Sequence, residues 1–164
     1  MRETPEELAD LQRLLDASLG GATTHLKSVV AGRTITAEQL AGVLTGMCVL
    51  SVSTVTAKGE PRISAVDGHF LHGKWIFGTA RTAAKARHLV TRPAASVSHL
   101  RGEDLGVFVH GRTEILDLTE EAEISAYVRE FYGDDAFDWE NDVVYFRLRP
   151  HFMTVYAPDL TKLR

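Results

Sequence analysis

Apolar residues recur at helical spacing over the first third of the chain and at strand spacing over most of the rest. Thr4-Pro5-Glu6-Glu7 supplies a capping hydroxyl, a proline at the first helical position and a glutamate three residues after the cap. Leu8, Leu11 and Leu15 follow on one face with Leu14 beside them, and Gly20-Gly21 ends the run. Residues 22–31 read ambiguously, a short helix through Leu26, Val29 and Val30 being one reading. Thr36-Ala37-Glu38-Gln39 is a second capping box, opening a helix with Leu40, Val43 and Leu44 inward.

At Gly46 the period changes. Residues 48–56 are rich in Val, Ser and Thr and read as a strand. A turn at 57–60 leads to a second strand from Pro61, continuing through His69-Phe70-Leu71 with a bulge expected at Gly68. His72-Gly73-Lys74 is a tight turn, and 75–79 a third strand. Residues 82–92 form a short helix with Ala86, Leu89 and Val90 inward, stopped by Pro93. Strands at 94–99 and 106–116 follow, joined by a polar loop. The second alternates, with Val107, Val109, Thr113 and Ile115 on one face and His110, Arg112 and Glu114 on the other. An amphipathic helix at 120–132 carries Ile124, Tyr127, Val128 and Phe131. An acidic loop at 133–142 precedes two last strands, 143–149 and 152–156, separated by Pro150. Short links between strands favour antiparallel pairing, and no strand–helix alternation builds a parallel sheet. The expected fold is mainly β (α+β), a small antiparallel barrel of six to eight strands with peripheral helices. Residues 1–45 are expected as a helical extension packed on it and 46–164 as the barrel domain.

Composition narrows the function. The 164 residues fit one domain, and no apolar run approaches the ~20 residues of a membrane-spanning helix. Acids stand where a secretory signal would carry basic residues and an apolar stretch, so a cytoplasmic location is expected. Eighteen Lys and Arg against 22 Asp and Glu leave a formal charge of −4, which argues against a nucleic-acid partner. The single cysteine, Cys48, sits in an apolar run and reads as a small buried hydrophobe.

The charge average hides a local reversal. Arg81, Lys85, Arg87 and Arg92 lie between Trp75 and Pro93 with no acid among them. A helix start carries partial positive charge and favours acids, so this arrangement is unfavourable unless an anion sits there. A phosphate would collect free backbone N–H groups, the Thr82 hydroxyl and the side chains of Arg81, Lys85 and Arg87. The alternative is a solvated basic face.

From about Val49 to Leu116 the chain resembles the pyridoxamine 5′-phosphate oxidase-like flavin-binding split barrels. Phe77-Gly78-Thr79, Lys85, Leu89, Arg92-Pro93 and Ala95-Ser96-Val97 fall in the register of that family's strand, phosphate-binding helix and following strand. The resemblance implies a phosphate contact at Arg62 and a flavin ring lined by Ile63, Ser64, Ala65 and Val66, with Phe77, Thr79 and Lys85 completing the cofactor residues. It implies a split β-barrel, a homodimer with the cofactor at the subunit interface, and hydride transfer to or from a small molecule. FMN is the expected cofactor, the deazaflavin coenzyme F-420 the alternative, and haem a further one. Ala84 stands where the oxidases carry arginine, and their Trp- and Arg-rich final segment is missing, so pyridoxamine phosphate oxidation itself is not expected.

No catalytic triad or carboxylate pair is visible, so no catalytic residue is named. The seven histidines are scattered without metal-ligand spacing, and each is read as structural or surface. Trp75, Trp139, Tyr145 and Phe146 read as core or interface, the acidic loop as solvated, and Arg147 and Arg149 as an exposed face. The alternative to an oxidoreductase is a non-enzymatic flavin or haem binder acting as carrier, store or sensor.

Overall fold

The computed structural model describes residues 2–133 and 142–163. Trp139 and most of the acidic loop lie outside them. Both capping boxes form. Thr4 and Glu7 exchange hydrogen bonds at the start of α1 (Pro5–Gly20), and Thr36 and Gln39 at the start of α3 (Ala37–Val43). The ambiguous stretch is a helix, α2 (Thr24–Val30), capped by the Thr23 hydroxyl. Leu11, Leu15, Leu40 and Leu44 are buried, and Gln12 Oε1 accepts the Ala37 N–H at 2.8 Å to join α1 to α3.

Six antiparallel strands close a barrel in the order β1-β2-β3-β6-β5-β4. They are β1 (Met47–Val55), β2 (Pro61–Leu71), β3 (Lys74–Ala80), β4 (Ala94–Arg101), β5 (Leu105–Leu116) and β6 (Val143–Tyr156). The helix α4 (Ala84–Thr91) joins β3 to β4, and α5 (Ala122–Tyr132) follows β5. The β1–β2 ladder runs unbroken from Met47↔His69 to Val55↔Pro61, so Gly68 is not a bulge. It is glycine because an added Cβ would lie 2.2 Å from Cδ1 of the buried Leu50. The last two expected strands are one. The register slips between His110↔Phe152 and Gly111↔Pro150, leaving His151 as the extra residue of a bulge next to a proline that lacks a backbone donor.

Inward residues form one core from the barrel and the helical extension together, including Leu11, Leu40, Leu50, Val52, Trp75, Phe77, Val107, Phe146 and Met153. Each fully buried side chain of this size stabilises by about 1.5–3 kcal/mol relative to exposure. A satellite cluster of Leu71, Ile76, Leu116, Ile124 and Val128 packs α5 on the outside of the barrel. Where helices lie on the barrel explains three departures from the pattern. Leu116 is buried and Ile115 exposed, because α5 covers the outer face at this end. Arg147 is not an exposed residue: its side chain bonds Glu114 and Glu121 at 3.2 and 2.7 Å beside the start of α5. Val90 is exposed, because α4 turns Ala86 and Leu89, not Val90, into the core.

Candidate functional site

The barrel is split. β2 and β3 pair only from Gly68↔Phe77 to Leu71↔Lys74. The stretch 61–67 of β2 therefore has a partner on the β1 side alone. In a strand paired on one side, alternate residues direct N–H and C=O toward the open edge. Ile63 and Ala65 face outward, Ile63 being 74% exposed. Arg62, Ser64 and Val66 stand opposite the inward Thr54, Val52 and Leu50, so their side chains share the inner face. Val66 is buried in the core, Ser64 half-buried, and Arg62 exposed at the rim. Phe77 is buried against Phe146, with ring centroids 5.8 Å apart. Both Val66 and Phe77 thus offer a ligand backbone rather than side chain.

The same rim carries α4. Thr54, opposite Arg62 and only 1% exposed, bonds His88 Nδ1 on α4 at 2.9 Å. Arg92 Nε donates to the Val55 carbonyl at 2.9 Å. These two bonds hold α4 against the end of β1, beside the strand that carries Arg62. The helix starts at Ala83 with no side-chain cap and no acid in its first turn. Four backbone N–H groups at a helix start lack intrahelical partners, and here that of Ala83 is taken by the Ala80 carbonyl at 3.0 Å. Lys85 is half-buried in that turn, while Arg81, Thr82 and Arg87 are exposed around it. Arg87 Nη1 donates to the Thr82 carbonyl at 3.0 Å, and the Arg81 N–H donates to the Asp142 carbonyl at 2.7 Å. Thr79, half-buried, pairs with Val144 at the end of β3. Arg62 is turned toward its own hairpin and bonds Glu60 at 2.8 Å.

The sequence reading missed Thr54 and His88. Thr54 looked like one of several strand threonines, and only the folded register sets it under α4. Alternation along β5 already set His110 and Arg112 on the outer face, and the strand register adds the residues beside them. Ser53 lies between Ile63 and Ser96, and Ser51 between Ala65 and Ser98, with His110 and Phe108 next on β5. Val49, Leu100 and Phe108 on this face are 57%, 58% and 40% exposed. Small side chains in the middle and apolar ones around them make a nearly flat surface.

His69 and His99 have local roles. His69 is buried under α5 and bonds the hydroxyls of Tyr127 and Tyr132 at 2.9 and 2.8 Å. Burial holds its imidazole below the usual range and pushes the Tyr132 phenol up to about 12. His99 Nδ1 faces the Val49 carbonyl at 2.9 Å, and its Nε2 accepts from Arg101 Nε at 3.1 Å. A carbonyl only accepts, so the hydrogen sits on Nδ1 and His99 is neutral. Cys48 is buried, and burial raises its thiol. A groove of about 450 Å³ between α1, α5 and β6 is lined by paired charges, among them Glu7, His72, Glu121 and Arg147, away from α4. Among the described residues no helix is long and apolar enough to cross a membrane, and no three His, Cys, Asp or Glu side chains are grouped to hold a metal ion.

No family model matches the sequence. No curated protein matches it either. Solved structures do. The conserved hypothetical protein Rv2991 from Mycobacterium tuberculosis is 19% identical, with a TM-score of 0.67 over 82% of this chain and 92% of that one. HutZ, the heme storage protein from Vibrio cholerae, is 17% identical, with a TM-score of 0.62 over 73% and 92%. A candidate pyridoxamine 5′-phosphate oxidase from Listeria innocua is 12% identical, with a TM-score of 0.58 over 72% and 95%. An F420 reductase and a FAD-binding protein from Mesorhizobium loti also match, at TM-scores of 0.53 and 0.59. The chain has the split-barrel fold of the pyridoxamine 5′-phosphate oxidase-like proteins.

Proposed function

We propose that this chain is a flavin-binding split barrel that works as a homodimeric oxidoreductase on a small molecule. One observation carries the reading: β2 is left open at 61–67, and α4, whose start is basic and uncapped, is held through His88 and the following Arg92 to the end of β1 opposite Arg62. The donor set fits a flavin phosphate ester. Lys85, the free N–H groups of the first turn and the Thr82 hydroxyl would hold the phosphate, with Arg81, Arg87 and Arg62 within the same rim. Backbone groups of 61–67 would hold the ring edge, and Ile63 and Ala65 would carry its face. A bound flavin supplies the hydride chemistry, so the protein needs to orient and bury the ring rather than to titrate. FMN is the first choice, since the site is built for one phosphate, and the deazaflavin coenzyme F-420 the alternative. The site is open on the outer side, and the flat apolar face beside it supports a second copy closing over it.

Titration with FMN tests this. Wild type is expected to bind more tightly than ~100 μM, about 5.5 kcal/mol, and Lys85→Ala to weaken binding tenfold or more. Binding no tighter than that by wild type overturns the flavin reading, and equal binding by both proteins overturns the phosphate site. A second reading, a haem carrier or store, is favoured by His110. It is exposed on the outer face, stacks on Phe152 with centroids 5.5 Å apart, and has Nδ1 held by Ser96 Oγ at 2.8 Å. No described group bonds its Nε2, leaving that nitrogen for an iron centre. A Soret band on adding hemin, lost in His110→Ala, would support it over the flavin.

A further inference from the structure

We infer that Glu60 sets the phosphate selectivity of the proposed flavin site by competing with the ligand for Arg62. The inference rests on the flavin reading and adds a residue to it. Arg62 stands at the first rung of the split, opposite Thr54 and so next to the His88 contact that fixes α4. Its guanidinium does not reach into that rim. It is folded back on the β1–β2 turn, where Nη2 bonds Glu60 Oε2 at 2.8 Å and Nη1 the Pro61 carbonyl at 3.1 Å.

Glu60 is not a loose surface acid. Its N–H donates to Thr56 Oγ1 at 3.1 Å and its carbonyl accepts the Thr56 N–H at 2.9 Å, so the turn fixes its backbone on both sides. The turn thus keeps the Glu60 backbone next to Arg62 and its exposed carboxylate within reach of the guanidinium. A phosphate that recruits Arg62 has to take the guanidinium from Glu60 and then tolerates a nearby negative charge. A ligand lacking the phosphate pays neither cost, because it never draws on Arg62. Both side chains are more than half exposed, which limits the effect to the scale of a screened pair. The pair thus acts as a threshold: a dianionic phosphate ester with further contacts on α4 displaces Glu60, and free inorganic anions do not. Removing the carboxylate charge should therefore tighten phosphate-bearing ligands and leave others alone.

The test is calorimetric titration of the full chain with FMN and with riboflavin, which lacks the phosphate. Wild type, Glu60→Gln, Arg62→Ala and the double variant are compared. Glu60→Gln keeps the turn, whose bonds to this residue are backbone bonds. The expected result is FMN binding tightened three- to fivefold by Glu60→Gln, riboflavin unchanged within error, and no gain from Glu60→Gln in the Arg62→Ala background. A gain that persists without Arg62, or that riboflavin shares equally, overturns the competition. FMN binding indifferent to Glu60 overturns this inference alone. FMN binding by none of the four overturns the flavin reading and this inference with it.

Discussion

At the residue scale, single side chains decide how tightly the barrel packs and how it answers to pH. Gly68 leaves room for Leu50, and Gly68→Ala would set a methyl carbon 2.2 Å from it. Overpacking of a filled core typically costs about 1–3 kcal/mol, so urea unfolding of Gly68→Ala should shift by that amount. An unshifted midpoint would mean that Leu50 can move aside. His69 and His99 give the chain an acid-sensitive core. Burial lowers both imidazoles below the ordinary histidine value of about 6.5. The unfolded chain therefore takes up protons that the folded chain refuses. That stability is fully present above about pH 6.5 and is lost as the pH falls below it toward the folded values. Urea midpoints should drop between pH 7.5 and 5.5. His99→Gln should be weaker at pH 7.5 and flatter across that window. A midpoint independent of pH in wild type would contradict the neutral assignment of both rings.

At the element scale, the helical extension guards an edge. β3 pairs with β6 only at Val143–Arg147, so the second half of β6 has β5 on one side and α1 on the other. There Ser18, buried in α1, accepts the Met153 N–H at 2.9 Å and donates to the Leu14 carbonyl at 2.7 Å. An open strand edge templates aggregation, and covering it with a helix is one remedy. Ser18→Ala leaves the Met153 N–H buried without an acceptor, and a loss of about 1–3 kcal/mol in thermal or urea unfolding is expected. A neutral substitution would mean that water reaches that amide. The helix α4 shows the opposite arrangement, with its start left uncapped where α1, α2 and α3 are each capped by a threonine. The helix α5 also starts without a side-chain cap but carries Glu123 in its first turn, so α4 is the uncapped helix whose first turn also has no acid.

At the scale of the whole molecule, the net charge of −4 and the basic rim coexist because the acids gather elsewhere, many around α1, α5 and the groove between them. The outer face leaves Val49, Ile63, Leu100 and Phe108 exposed among the described residues. Ile63→Asp combined with Phe108→Asp should convert a dimer to a monomer in light scattering while the far-ultraviolet circular dichroism stays unchanged, since neither side chain belongs to the core. A wild type that is already monomeric at micromolar concentration would count against a shared cofactor site.

Local chemistry made much of this legible in the sequence. Capping boxes, the glycine and proline stops and the change from helical to alternating period mark elements by interactions within a few residues, and those signals hold in any context. The order of the elements and the basic stretch around Lys85 also carried the resemblance to the split barrels. What the chain alone left open depended on partners distant in sequence. Pro150 looked like a strand break, but β6 runs through it, with a bulge at the adjacent His151. Val90, Ile115 and Arg147 took their exposure from whether a helix lies over them, which periodicity does not encode. The split itself, with β2 open from 61 to 67, and the Thr54–His88 bond that brings α4 beside Arg62, arise only when strands far apart in the chain pair and stop pairing. Period and capping are fixed by neighbours along the backbone, whereas an edge is open or covered according to what the rest of the chain sets against it.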